Sequence, residues 1–173
     1  QINPLIEGFG NARTVINDNS SRFGKYLEML FTKQGRVTGA RLSEYLLEKT
    51  RVVNQGHAER NFHIFYYLFH VLASSIPNDE QAFYLFKNQT YRYLKSDFEE
   101  SENFKEKFLT IEKCFQIIGF QYDEIKSIYR ILAGLLHLGN INFHQNEGDF
   151  IDGKTCLTDQ YLLNIICQLF GLD

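Results

Sequence analysis

The chain reads as a helix-rich α/β fold. Residues 23–31 and 37–45 carry strand-like alternation on either side of Gly35, and five other stretches repeat apolar residues at helical spacing. With 173 residues, 44% hydrophobic and 23% charged, the chain is long enough for one sizeable core, which 16 Phe and 10 Tyr make bulky.

The first helix covers residues 2–10, where Ile2, Leu5, Ile6 and Phe9 share a face and Gly8 and Gly10 mark the end. From Asn11 to Ser21 the chain turns polar, a composition suited to an ordered loop held by side-chain-to-backbone hydrogen bonds. The next stretch puts Tyr26, Glu28 and Leu30 on one side and Leu27, Met29 and Phe31 on the other, a strand with one strongly apolar face. Gly35 then turns the chain into a second strand, completing a β-hairpin.

A helix over 59–74 carries Phe62, Phe65, Tyr66, Phe69 and Leu72 on one stripe, with Ile64, Tyr67, Leu68 and Val71 filling most of the rest. Such a helix must be buried and central. Residues 77–93 are the least periodic and read as a long loop with one short helix. Ser96 and Glu99 have capping-box spacing before Phe104, Phe108, Ile111, Phe115 and Ile118, and Gly119 ends that segment. Asp123 and Glu124 open another helix through Ile125, Ile128, Ile131, Leu132 and Leu135 to Leu138, followed by Gly139. A short β-like segment at 141–144 follows, then a last helix capped by Thr158, running through Leu162, Ile165, Ile166 and Leu169 to Gly171.

A net charge of −3 with pI near 6.0 excludes a general basic face for nucleic acid or anionic membrane, so any anion site is local. Cys114, Cys156 and Cys167 have no C-x-x-C spacing and read as reduced cytosolic thiols. No run approaches the roughly 18 apolar residues of a membrane span, and no signal segment opens the chain, so it reads as soluble and intracellular. The start at Gln1 and the end just after an apolar run read as a piece of something longer. His57, His63, His70, His137 and His144 make no metal-ligand spacing with one another or with the cysteines, and read as structural or exposed. The acidic cluster Asp97, Glu99, Glu100 and Glu102 reads as a solvated helix start, and the phenylalanine stripe at 62–69 as core.

Chemistry concentrates in Asn17-Asp18-Asn19-Ser20-Ser21-Arg22, which joins polar donors, a hydroxyl pair and a fixed cation between a helix and a strand. A serine hydroxyl is a neutral oxygen ligand compatible with octahedral Mg²⁺, and amides or hydroxyls donate to phosphate oxygens. Arginine offers planar donors to carboxylate or phosphate. On composition alone, a plain polar turn accounts for the loop better, since short polar motifs often match by accident.

The order of the residues changes that balance. Asn11 to Tyr26, NARTVINDNSSRFGKY, resembles switch I of the myosin motors, with its N-x-x-S-S-R-F-G-K core. Kinesins share N-x-x-S-S-R but normally continue Ser-His where this chain has Phe23-Gly24. The stretches Asn3 to Glu7, Tyr45 to Val53, Glu59 to Tyr66 and Ile131 to Ile141 are similar to further myosin segments in the same order. The phrase from Ile16 to Met29 leans toward the class III unconventional myosins, which pair a kinase domain with the motor.

The resemblance implies a partial P-loop NTPase motor domain with a hairpin from its central sheet and a helical upper 50-kilodalton subdomain. Residues 1–53 are expected to hold switch I and central-sheet strands, and 54–173 the mainly helical upper 50-kilodalton region. It implies ATP and Mg²⁺ as ligands, actin filaments as the partner of the complete motor, calmodulin-type light chains outside this segment, and a place on the cytoplasmic actin cytoskeleton. Asn17 and Asn19 would contact the phosphates or order the loop, and Ser20 would sit beside the γ-phosphate and the attacking water. Ser21 would ligate Mg²⁺, and Arg22 would pair with a switch II glutamate outside this chain. With neither phosphate loop nor switch II present, the isolated chain is expected to be inactive. The alternatives are a noncatalytic actin-associated scaffold built on a degenerate motor, or a kinesin-like motor, which Phe23-Gly24 disfavours.

Overall fold

The computed structural model describes residues 2–73, 83–95, 103–145 and 155–172. Helix α1, Asn3–Gly10, begins with Pro4 in its first turn, where a missing N–H costs nothing, and runs directly into strand β1, Asn11–Ala12. β1 pairs antiparallel with β2, Ser20–Ser21. The hairpin follows as β3, Gly24–Phe31, and β4, Val37–Tyr45, with Gly24 opposite Tyr45 and Phe31 opposite Val37. Gly35 takes φ +79° at the turn, a conformation that favours glycine.

A 3₁₀ turn at Lys49–Val52 leads toward α2, His63–Leu72. Then come α3, Phe104–Ile117, and α4, Tyr122–Gly139. A small hairpin of β5, Phe143–Gln145, and β6, Thr155–Leu157, precedes α5, Gln160–Phe170.

The expectation of a buried second helix holds: Ile64, Phe65, Tyr66, Tyr67 and Leu68 of α2 are all buried. They pack with Phe104, Phe108, Ile111 and Phe115 of α3, Ile125, Tyr129, Leu132 and Leu136 of α4, and Ile165 and Leu169 of α5. Each such side chain contributes roughly 1.5–3 kcal/mol by leaving water. Phe9 of α1 meets Phe115 edge-on at 6.1 Å, so the first helix docks on the same core.

Several boundaries differ from the sequence reading. α2 starts at His63 rather than Glu59 because Asn61, fully buried, pins the preceding chain. Its amide donates to the carbonyls of Val52 and Tyr93, each at 3.0 Å, and its Oδ1 accepts from the Phe62 N–H at 2.8 Å. Gly8 lies inside α1: a Cβ there would come 2.5 Å from Cδ1 of Ile111, so the missing side chain lets α3 approach.

The Ser96–Glu99 capping box and the acidic cluster at 97–102 lie outside the described residues. Asn103 caps α3, accepting from the Glu106 N–H at 3.3 Å. At α4 the expected acidic start is present, and Gln121 and Glu124 complete a reciprocal cap. The cap of α5 is Asp159, whose Oδ1 accepts from the Leu162 N–H at 2.9 Å. Thr158 instead donates its hydroxyl to the Asn142 carbonyl at 3.2 Å. Strand β6 has no counterpart in the sequence reading, and the part of 77–93 that is described carries no helix.

The β3–β4 hairpin has no covered face among the described residues: Tyr26, Leu27, Met29, Leu30 and Phe31 are 49–61% exposed. The single strongly apolar face expected there is therefore two half-exposed ones. Cys114, Cys156 and Cys167 form no disulfide. No helix among the described residues is long and apolar enough to cross a membrane.

Candidate functional site

The short β1–β2 ladder sets the loop between them. Asn11 lies opposite Ser21 and Ala12 opposite Ser20, and the Arg22 N–H extends the ladder to the Gly10 carbonyl at 2.8 Å. Within the loop, the Thr14 N–H donates to the Asn17 carbonyl at 2.8 Å, and the Thr14 hydroxyl accepts from the Asn17 N–H at 3.2 Å. Asn17 Oδ1 accepts from the Asn19 N–H at 2.8 Å, an Asx turn. The Asn17 side chain therefore orders the loop.

Asn19 turns its side chain toward the body of the protein. Its Nδ2 donates to Glu7 of α1 at 3.3 Å, and its Oδ1 accepts from Asn11 Nδ2 at 3.1 Å. The same oxygen lies 3.1 Å from His63 Nε2 at the start of α2, which places the imidazole proton on Nε2. Burial first, then the charges of Lys107 and Arg60, together lower the His63 pKa to about 4, with Asp18 opposing them. His63 is therefore neutral at physiological pH.

A cleft of about 460 Å³ opens between the loop, α1, α2 and α3, with Glu7, Asp18, Asn19, His63 and Lys107 in its wall. Asn17, Ser20, Ser21 and Arg22 do not line it. The site thus has two sides, one holding the loop to the core and one bearing the serines and the arginine.

Ser21 is exposed, and its hydroxyl donates to the Phe23 carbonyl at 3.1 Å, which leaves its oxygen lone pairs open. Ser20 is half-buried, and its hydroxyl is not drawn into the network that holds Asn17 and Asn19. Among the described residues no group of three or more His, Cys, Asp or Glu side chains is placed to hold a metal ion.

Arg22 Nε donates to the Ser21 carbonyl at 3.1 Å and lies 3.5 Å from Glu48 Oε2. The Glu48 N–H also donates to the Arg22 carbonyl at 2.9 Å, so Glu48 holds the arginine by main chain and side chain together. Leu46, at φ +55°, turns the chain after β4 and brings Glu48 back to this position. Behind Glu48, the buried Arg51 grips both carboxylate oxygens, Nε to Oε2 at 2.9 Å and Nη2 to Oε1 at 3.3 Å. Arg51 also reaches Glu59 at 3.0 Å and the Arg60 carbonyl at 3.1 Å.

Sequence reasoning singled out Asn17, Asn19, Ser20, Ser21 and Arg22, and the structure gathers them on one loop and the strand that follows. It missed Glu7, Asn11, His63 and Glu48, which hold that loop. No local pattern marks them, because each acts on the loop across the fold.

A family model for the myosin head (motor domain) matches residues 1–173. The chain belongs to the myosin motor-domain family. It is 51% identical over 150 residues to myosin-IIIb of Mus musculus, covering 83% of this chain and 11% of that protein. Against myosin-IIIa of Homo sapiens it is 47% identical over 171 residues, covering 91% and 10%. Against unconventional myosin-Ic of Danio rerio the identity is 39% over 181 residues, covering 100% and 17%. Identity to the two myosin-III proteins thus exceeds that to the myosin-I protein. The chain spans only about a tenth of the length of the myosin-III relatives it matches.

Proposed function

We propose that this chain is the switch I and upper 50-kilodalton part of a motor that hydrolyses Mg²⁺·ATP and moves along actin. Residues 1–53 supply switch I and central-sheet strands, and 54–173 the mainly helical upper 50-kilodalton region. The observation that carries this reading is the motor-domain match across residues 1–173, which sets the Asn17–Arg22 loop in the context of an ATPase. Actin binding belongs to the complete motor, as do any calmodulin-type light chains, and its place is the cytoplasmic actin cytoskeleton.

In phosphoryl transfer, positioning and charge stabilisation dominate over covalent chemistry. Ser21 suits Mg²⁺: its hydroxyl is exposed, neutral and already oriented by its bond to Phe23. When bound, the ion neutralises charge on the phosphate oxygens. Ser20 stands beside the γ-phosphate and the attacking water, passing a proton between them. Asn17 and Asn19 order the loop beside the phosphates, the role their hydrogen bonds favour. Arg22 closes the site by pairing with a switch II carboxylate in the hydrolysis-competent state.

The latch role is tested by Arg22→Glu in the complete motor. Nucleotide binding should stay largely intact while the cleavage step slows strongly, because the ion pair forms only in the closed state. Exchanging the opposing glutamate for arginine should recover part of the rate. An unchanged cleavage rate in single-turnover measurements, or no recovery in a normally folded double variant, sinks the latch.

A further inference from the structure

We infer that Glu48 is a positioning residue for Arg22, presenting its guanidinium to the incoming carboxylate, and that the buried Arg51 sets Glu48 for this task. The inference rests on the latch reading above and adds the residue that prepares it.

Arg22 commits Nε, to the Ser21 carbonyl at 3.1 Å and to Glu48 at 3.5 Å. Among the described residues neither Nη1 nor Nη2 is engaged in a hydrogen bond, and the two terminal nitrogens can form the fork that grips a carboxylate bidentately. Holding the arginine by Nε therefore prepares it to bind without occupying the groups that bind.

Glu48 is suited to hold rather than to compete. Its carboxylate is gripped at both oxygens by Arg51, whose side chain is only 4% exposed, so the charge facing Arg22 is already largely compensated. The longer 3.5 Å contact steers the guanidinium without tying it down. A free arginine on a loop gives up rotamer entropy when its partner arrives, and a pre-set one loses less. Arg51 cannot drift, since Glu59 and the Arg60 carbonyl hold it from the other side. The chain Glu59, Arg51, Glu48, Arg22 thus runs from the stretch before α2 to the loop.

The test is a double-variant cycle in the complete motor, read as single-turnover cleavage alongside ATP binding. Glu48→Gln should slow cleavage about tenfold with ATP binding unchanged, and in an Arg22→Ala background it should slow it no further. Glu59→Gln loosens the same buried arginine but leaves the Arg51–Glu48 fork and the Arg60 carbonyl contact, so it should slow cleavage clearly less than Glu48→Gln does. Equal slowing by Glu48→Gln with and without Arg22 would mean that Glu48 acts through the fold, and overturns the proposal. So would normal cleavage in Glu48→Gln when Arg22→Ala is slow, or slowing by Glu59→Gln that matches Glu48→Gln. If Arg22→Ala itself cleaves normally, the latch reading fails instead.

Discussion

Asn11 clamps Asn19 from beneath the loop: its buried amide nitrogen donates both to the Asn19 carbonyl at 3.3 Å and to Asn19 Oδ1 at 3.1 Å. Removing the donor in Asn11→Ala should cost about 1–2 kcal/mol. It should also raise amide hydrogen exchange at Asn17 and Asn19 in the complete motor. Asn11→Asp should be worse, because it turns carboxylate oxygens toward two acceptors. An aspartate variant as stable as the alanine one argues against the clamp.

Close packing between α1 and α3 depends on Gly8. A methyl group at Gly8 meets Ile111 Cδ1 at 2.5 Å, so the buried Ile111 side chain must shift to admit it. Gly8→Ala should cost roughly 1–3 kcal/mol by overpacking. Ile111→Val removes the offending methyl, so the double variant should be more stable than Gly8→Ala alone. Thermal unfolding of the four proteins in the cycle reads the sign directly.

His63 sets an acid limit on stability. Its pKa falls from the usual 6.5 to about 4 on folding, with burial the main cause. Between those values the unfolded chain binds more protons than the folded one, so stability is greatest above pH 6.5 and is lost as pH falls toward 4. After discounting for partial exposure, the loss is about 1–2 kcal/mol. Burial also lowers the pKa of His137, which adds in the same direction. His63→Gln, which keeps a donor for Asn19, should flatten part of the pH dependence of unfolding between pH 4 and 6.5. An unaltered slope removes His63 as its source.

If Ser21 ligates Mg²⁺ as proposed, Ser21→Ala in the complete motor should raise the Mg²⁺ concentration for half-maximal hydrolysis at least about tenfold. The 173-residue chain by itself should bind Mg²⁺·ATP weakly or not at all and release no phosphate above a buffer control. Turnover by the isolated chain, abolished by Ser21→Ala, contradicts this.

What was legible in the sequence was what repeats. The periodicity of α2, α3, α4 and α5 and the Gly35 hairpin report burial and turning, which are local properties of the chain. The start of α2 was not legible, because Asn61 is held by Val52 and Tyr93, residues far from it in sequence. Thr158 and Asp159 are both good caps, and only the fold shows that Thr158 serves Asn142 instead. At the site, the residue types on the loop were readable as a motif. Glu48 and His63 were not, since Leu46 and the packing of α2 bring them there.

The uncovered β3–β4 hairpin bears on the order of folding. Its strands are neighbours in sequence, so it can form in about 1–10 μs, long before the distant contacts among α2, α3 and α4 are made. Tyr26, Leu27, Met29, Leu30 and Phe31 then wait in water on a paired but unshielded ribbon. For this stretch the hazard is one of timing: the longer the ribbon stands uncovered, the more often a second ribbon pairs with its edge.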